Sequence, residues 1–562
     1  MSNKSQRSLL YSSAVWAGMA LLALLVVGFW VQGPQGPSID AAQTYQRFRD
    51  GGWMAPLTLD QSPVVELSLP YCGWPPLYMC GLCLLSLTGL PFWPAALLYN
   101  AMLTVLAALV AVRIARRCGS TWPPGLVFFL AVACPAYGLQ FRFAYPVMMI
   151  PLCCLVPVNA ALAVHAGGLN RRRWLALAVG AGLLASLGTW VSYMAAPALF
   201  LAFGLTARRH RGQQEGDAAL RVVRWSLALG LVMVVGFAIF KLASGYALRH
   251  EPMISSEISG GLSKFLERMM PGRSVLLATV FYSIVRMGWV LLPTVILALL
   301  LVRRGGAAAR DQCRALPAVP GTLILIPLLF ACFLPGEIGP SEHNFHAMDY
   351  VPLALLLPAL WVPFRAGATM KAVAVWGISL LAYFQGYRIL PDLALENPRA
   401  EAAERLFDAP GNYHYGLKPA SASIRSLMRT TFKNGFNIPA TDPRAGRLDP
   451  KAARWQEWLT HGQLYREAVK DRRVLLAWTP DGFGVSFFTG RPLLGVQDFA
   501  GFQSQAAGLA KIGLLFRSGV IVPEETDTSS VLAVLAGFQA TAVERPVAGT
   551  GYKLLSVGPS GP

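Results

Sequence analysis

Apolar runs of about twenty residues recur from the start of this chain to about residue 386, and short clusters of arginine separate them. Wound as an α-helix, such a run matches the roughly 30 Å hydrocarbon thickness of a bilayer. Lipid offers peptide groups no hydrogen-bond partner, so each run must satisfy its own backbone, and helices are the direct solution. Composition agrees. Hydrophobic residues make up 54% of the 562 and charged residues only 14%, where a soluble domain carries about a quarter charged. The expected class is mainly α: a polytopic membrane protein of about eleven transmembrane helices. The spans are expected near 10–31, 93–113, 122–139, 145–165, 174–189, 193–207, 225–243, 286–302, 317–335, 348–364 and 370–386. The fifth and sixth form a tight hairpin. Segment 76–90 is also apolar, and it is expected to lie along the interface rather than cross.

Short loops set the orientation. Lys4 and Arg7, Arg116 and Arg117, Arg171 to Arg173, Arg208 to Arg211, Arg303 and Arg304, and Arg365 with Lys371 all fall on one side of this arrangement. Positive charge in short loops marks the cytoplasmic side. The N-terminus is therefore expected in the cytoplasm, with its first span retained, and the last 175 or so residues outside. Residues 1–386 form the membrane domain, with external loops at 32–92, 244–285 and 336–349. Residues 387–562 form a small external α/β domain, with strand patterns at 474–478, 485–488 and 519–522 and a helical pattern over 451–470. That tail holds 20 Lys and Arg against 16 Asp and Glu, so only +4 of the formal +19 belongs to it. The basic clusters sit scattered in turns and form no single patch, which argues against a nucleic-acid partner. All nine cysteines precede residue 333. The external domain is thus not a disulfide scaffold, although its side is oxidising.

Acidic residues point to the outer face. Ten of the thirteen before residue 388 fall in the external segments. Asp40 is the most telling, because it stands just beyond the first span at the head of a short amphipathic pattern. Asp40-Ala-Ala-Gln43 fits a capping box. A capping carboxylate also suits a general base that takes a proton from an acceptor hydroxyl or amine beside a lipid phosphate. Segment 336–350 contains His343, His346 and Asp349 at intervals of three. If helical, that spacing places them on one face, where they suit a phosphate, a divalent ion or a solvated cap; spacing alone does not choose among these. Arg142, Arg249, His250, Lys264, Arg268, Arg273 and Arg286 break the positive-inside trend, so a headgroup, a diphosphate or a buried acid is expected beside them. Among these Arg142 is the leading phosphate contact.

Several stretches, in order, resemble the GT-C superfamily of integral-membrane glycosyltransferases, above all the bacterial aminoarabinose and mannosyl transferases that use polyprenyl-phosphate sugars. They are Asp40, Tyr45 and Gly51-Gly52-Trp53; Pro75-Pro-Leu-Tyr78; Asn100, leading into a span that ends at Arg117; the hairpin from Ala181 to Pro197; and Asp349-Tyr350-Val-Pro. The likeness covers most of residues 1–365 as a pattern of layout. It implies transfer of a sugar from a polyprenyl-phosphate donor lipid to an external acceptor, with Asp40 as the base. Tyr45, Arg142, Arg249, His343, His346 and Tyr350 are the expected substrate contacts if this chemistry holds. No cofactor is required by that chemistry, and a divalent metal stays open. The location implied is the bacterial inner membrane, with the C-terminal domain periplasmic.

This chain also departs from the family pattern. Ala41 follows Asp40 where an acid is frequent, Gly73-Trp74 precedes the paired prolines where Glu-Lys is common, and Asp349 stands where an arginine is common. The cations at two usual phosphate positions are therefore absent, and other residues must provide positive charge. Three other classes compete: a transporter or flippase, a non-catalytic scaffold, and an O-antigen polymerase or ligase. The first would need ionisable mid-span residues and two related halves, and the sequence shows few of the former and no inverted repeat.

Overall fold

The computed structural model describes residues 3–32, 41, 44–45, 48–49, 56, 75–133, 144, 146–249, 318–333, 464, 468–477, 493–495, 499–511, 513–547, 549 and 551–560. The described part of residues 1–386 is mainly helical. Its elements are α1 (Asn3–Gln32), α2 (Leu77–Leu85), α3 (Phe92–Arg117), α4 (Pro124–Val132), α5 (Ile150–Ala166), α6 (Arg171–Gly188), α7 (Ala195–Arg209), α8 (Gln214–Arg249) and α9 (Ala318–Phe333). Single 3₁₀ turns, Pro146–Met149 and Val191–Met194, lead into α5 and α7.

Among the described residues four helices are long and apolar enough to cross a membrane: Phe92–Arg117, Pro146–Ala166, Val191–Arg209 and Gln214–Ala243. These match four of the expected spans. The expected spans near 286–302, 348–364 and 370–386 lie outside the described residues. α2 has nine residues, roughly 14 Å of helix, so it does not cross. It ends in a 3₁₀ turn closed by Gly89 in the left-handed region (φ 79°), the conformation glycine adopts at least cost.

α3 shows how these helices bury one side while staying apolar on the other. Trp93, Leu97, Asn100, Thr104, Ala107, Ala111 and Ile114 are buried at steps of three and four. Leu98, Met102, Leu106 and Leu109 stand exposed on the opposite side. Exposed leucines in that number suit a lipid-facing surface. α8 is similar, with Leu227, Leu231, Val234 and Ile239 exposed.

Small residues let helices approach closely, the usual way helices associate where lipid removes the hydrophobic driving force. Ala178, Ala181, Gly182 and Ala185 line the buried side of α6. A Cβ built on Gly182 would stand 2.6 Å from Val232 Cγ1 of α8, and one on Gly188 would stand 2.2 Å from Cys153 Sγ of α5. Gly188 closes α6, and Thr189 and Trp190 turn the chain back toward α7. The chain does turn sharply where the sequence predicts, but α6 and α7 pack chiefly on α8 rather than on each other, so they do not form the expected tight hairpin.

The C-terminal part is a five-stranded sheet in the order β2-β1-β3-β5-β4, formed by β1 (Val474–Ala477), β2 (Leu493–Gly495), β3 (Ser518–Pro523), β4 (Ala540–Val547) and β5 (Tyr552–Pro559). β1 pairs in parallel with β2 and β3, whereas β5 runs antiparallel to both β3 and β4. Side chains alternate between faces, as strand geometry requires. Val474, Leu476, Val520, Val522, Leu555 and Val557 meet Phe502, Ala506 and Leu509 of α10 (Phe499–Lys511) and Val531 and Leu535 of α11 (Ser529–Gly537). Leu475, Ile521 and Leu554 face the other way, with Val469 and Val547. The expected α/β character is met, and so are the strands at 474–478 and 519–522. The expected strand at 485–488 lies outside the described residues.

Thr528, just before α11, donates a hydrogen bond to Glu544 of β4, and Lys553 of β5 stands 3.3 Å from the same carboxylate. The threonine bond, then the lysine, hold the Glu544 carboxyl below its ordinary value. A carboxylate lowered in the folded state adds stability that is complete above its unfolded pKa and is lost as pH falls through the folded one. Amide exchange over residues 540–559 should therefore quicken once the pH falls below about 4, near the ordinary glutamate value, and Glu544→Gln should flatten that response. Gly182→Val should lower the thermal unfolding temperature of the purified chain, because overpacking costs about 1–3 kcal/mol.

Candidate functional site

The basic clusters mark one end of the helical bundle: Arg116 and Arg117 close α3, Arg171 to Arg173 open α6, and Arg208 and Arg209 close α7. The features that could carry chemistry gather toward the opposite ends of these helices, in three groups.

The first group adjoins Asp40. Ala41, Thr44, Tyr45, Phe48 and Arg49 are helical. Ala41, Thr44 and Tyr45 are buried, Phe48 is half-buried and Arg49 is exposed. That is the one-sided burial the sequence pattern predicts for an amphipathic helix. The Tyr45 hydroxyl donates to the Leu90 carbonyl at 2.9 Å, and its ring meets Phe92 edge-on at 5.6 Å. This ties the helix to the head of α3. Burial pushes the Tyr45 phenol up to about 12, against a smaller opposing effect of Arg49. The hydroxyl therefore stays protonated, and a donor, at any physiological pH. Asp40 itself lies outside the described residues; its sequence neighbour Ala41 is wholly buried.

The second group is α2 against α3. Pro75 and Pro76 are buried, and Pro76 accepts from the Cys80 amide at 2.8 Å. The buried Tyr78 donates to Asn100 Oδ1 at 2.9 Å, and Thr104 donates to the Asn100 carbonyl at 2.8 Å. The Pro-Pro-Leu-Tyr stretch thus locks α2 onto α3 through a polar pair inside the bundle.

The third group surrounds Lys241 of α8. Its ammonium lies 5.4 Å from the Phe237 ring centre and 5.9 Å from that of Trp190. Trp190 stacks on Tyr193 at 5.4 Å, and Phe237 meets both edge-on, at 5.4 Å and 5.6 Å. The lysine is 1% exposed. An ionisable side chain inside a membrane helix is costly, and it marks a working position more often than a structural one. The sequence signal was a lysine near the end of an apolar span.

Of the other expected site residues, Arg249 closes α8, while Arg142, His343, His346, Asp349 and Tyr350 lie outside the described residues. Among the described residues no group of three or more His, Cys, Asp or Glu side chains comes together to hold a metal ion.

No protein-family model matches this sequence, and no curated protein matches it. Solved structures do. The chain is similar to the crystal structure of ArnT from Cupriavidus metallidurans bound to undecaprenyl phosphate, with a TM-score of 0.55 and 15% identity, over 96% of this chain and 97% of that one. It is similar to the same protein in the apo state, with a TM-score of 0.54 and 15% identity, over 97% and 99% of the two chains. The shared feature is the fold, along almost the whole length of both proteins. The fold expected from the residues is therefore met in the architecture.

Replacing Tyr45 by Phe leaves the Leu90 carbonyl without its donor. The expected cost is about 1–3 kcal/mol, read as a lower unfolding temperature of the purified chain.

Proposed function

We propose that this chain is a membrane glycosyltransferase that moves a sugar from a polyprenyl-phosphate carrier to an acceptor outside the cytoplasm. The observation that carries this reading is the end-to-end fold likeness to a protein crystallised with undecaprenyl phosphate. The order of Asp40, the buried helix after it and the Pro-Pro-Leu-Tyr helix supports it. By the positive-inside rule the arginine-rich end faces the cytoplasm, so the N-terminus lies there and residues 387–562 lie outside, in a bacterial inner membrane.

In this mechanism Asp40 takes the proton from the acceptor hydroxyl or amine. The freed lone pair attacks the anomeric carbon, the bond from that carbon to the phosphate oxygen breaks, and the lipid phosphate leaves with the electron pair. Attack opposite to the departing phosphate inverts the anomeric centre, and no covalent sugar–enzyme intermediate is needed. Cations lower the barrier by stabilising the phosphate as charge builds on it. Arg142, Arg249, His343, His346 and Tyr350 are the proposed contacts to donor or acceptor, and Tyr45 holds the helix that follows the base. The external domain helps to shape the acceptor site.

The test is release of polyprenyl phosphate from a panel of labelled polyprenyl-phosphate sugars, in membranes carrying the full chain. Wild type should consume at least one donor. Asp40→Asn should slow it by about 10²–10⁴, the usual contribution of a general base, with an unchanged unfolding temperature. A variant as fast as wild type would remove Asp40 from the mechanism. A wild type inert toward every carrier-linked sugar would overturn the whole reading.

A further inference from the structure

α2 is a helix of nine residues, too short to be held in place by crossing the membrane. It is held by its seat on α3. A Cβ built on Gly81 would stand 2.0 Å from the Tyr99 hydroxyl and 2.5 Å from Cζ of the same ring, so a larger residue there would push the helices apart or displace the ring. Three residues earlier, the Tyr78 ring lies against that of Tyr99, with centroids 5.3 Å apart, and its hydroxyl donates to Asn100 Oδ1 at 2.9 Å. Thr104 holds the Asn100 carbonyl from the next turn. Tyr78, Asn100 and Thr104 are all 0% exposed. Breaking a buried hydrogen bond strands both partners away from water, which makes such a pair a stiff joint. The close approach at Gly81 and the bond from Tyr78 together fix the height and the rotation of α2.

The helix that follows Asp40 rests on this seat. Tyr45 belongs to the same packed core as Tyr78, Met79 and Leu82 of α2, and Cys83 of α2 is near enough to act on the Tyr45 phenol electrostatically. The Tyr45 hydroxyl bonds to Leu90, in the short link between α2 and α3. Asp40 is joined by one peptide unit to Ala41, which is 0% exposed. One such unit separates successive Cα atoms by about 3.8 Å, so whatever holds that helix also limits where the carboxylate can go. A general base must stand within hydrogen-bond reach of the proton it takes. A misplacement of about 1 Å can cost about a hundredfold in rate.

We propose that Tyr78 is a positioning residue of the transfer reaction: through Asn100 it fixes α2, and α2 fixes the helix that follows the base, Asp40. The proposal rests on the preceding functional reading for the reaction and for its base. It gives the Pro75-Pro-Leu-Tyr78 stretch a geometric task.

Release of polyprenyl phosphate would be followed in membranes carrying full-length wild type, Tyr78→Phe, Asp40→Asn or the double variant, with unfolding temperatures read on the purified chains. Tyr78→Phe should lower kcat about tenfold and leave KM within about twofold, as expected when an interaction serves the transition state rather than substrate binding. In the Asp40→Asn background the same change should have no further effect, because residues that act through one another are not additive. A similar loss in both backgrounds would overturn the proposal, since a merely structural tyrosine slows whatever chemistry remains. So would a Tyr78→Phe enzyme as fast as wild type, or an Asp40→Asn enzyme as fast as wild type, which removes the base through which Tyr78 acts. Gly81→Ala disturbs the same seat by crowding Tyr99 and leaves the hydrogen-bonding groups in place. It should show the same dependence on Asp40, and it carries the test if Tyr78→Phe does not fold. Donor consumption by wild type is read first and decides the enzyme reading by itself, so that reading stands where only the variants disagree.

Discussion

In a bilayer a peptide group has no water to turn to, and this requirement shapes the rest of the molecule. It makes the described apolar segments helices. It also means that a polar side chain inside the bundle must find its partner there. Tyr78 meets Asn100, Thr104 meets the carbonyl one turn back, and Ser192 bonds to two carbonyls at the end of α6. Such pairs fix which helices touch and at what height. Against that background Thr189, with its hydroxyl unmatched, is an exception.

The two ends of the helices differ in chemistry. One end carries the arginines that close α3 and α7 and open α6. The other carries aromatic rings, a buried lysine and the helix that follows Asp40. The small mixed sheet at the C-terminus has its own core, built from alternating strand residues and two covering helices. Its sheet is held by hydrogen-bonded strands that water can also reach, a different solution from the bundle's.

Much of the fold was legible because it follows from local periodicity and length. The spans at 93–113, 145–165, 193–207 and 225–243 appear as helices within a few residues at most ends, although the last extends well beyond, from Gln214 to Arg249. The sharp turn after Gly188 was expected, but not that the two helices it joins would pack on α8 rather than on each other. β2, β4 and β5 were missed. β4 is largely exposed and carries Glu544, Arg545 and Pro546, so its apolar alternation is too weak to mark a strand. Only pairing with β5 makes it one. The site was legible in part: the burial of Ala41, Thr44 and Tyr45 followed from the amphipathic pattern after Asp40. The bond from Tyr45 to Leu90 spans 45 residues, and no local pattern encodes such a partner.

What the sequence determined by itself was membrane residence, helix positions and the side bearing positive charge, because these depend on hydrophobic length and on the number of charges in short loops. What tertiary structure decided was which polar groups meet. Lys241 reads in the sequence as one lysine near the end of a span, and Trp190 as one aromatic residue in a turn 51 positions earlier. Only the packing of α8 against the α6–α7 corner brings the ammonium over the ring. Contacts between distant segments follow from how small residues let helices approach, and that is a property of surfaces in three dimensions.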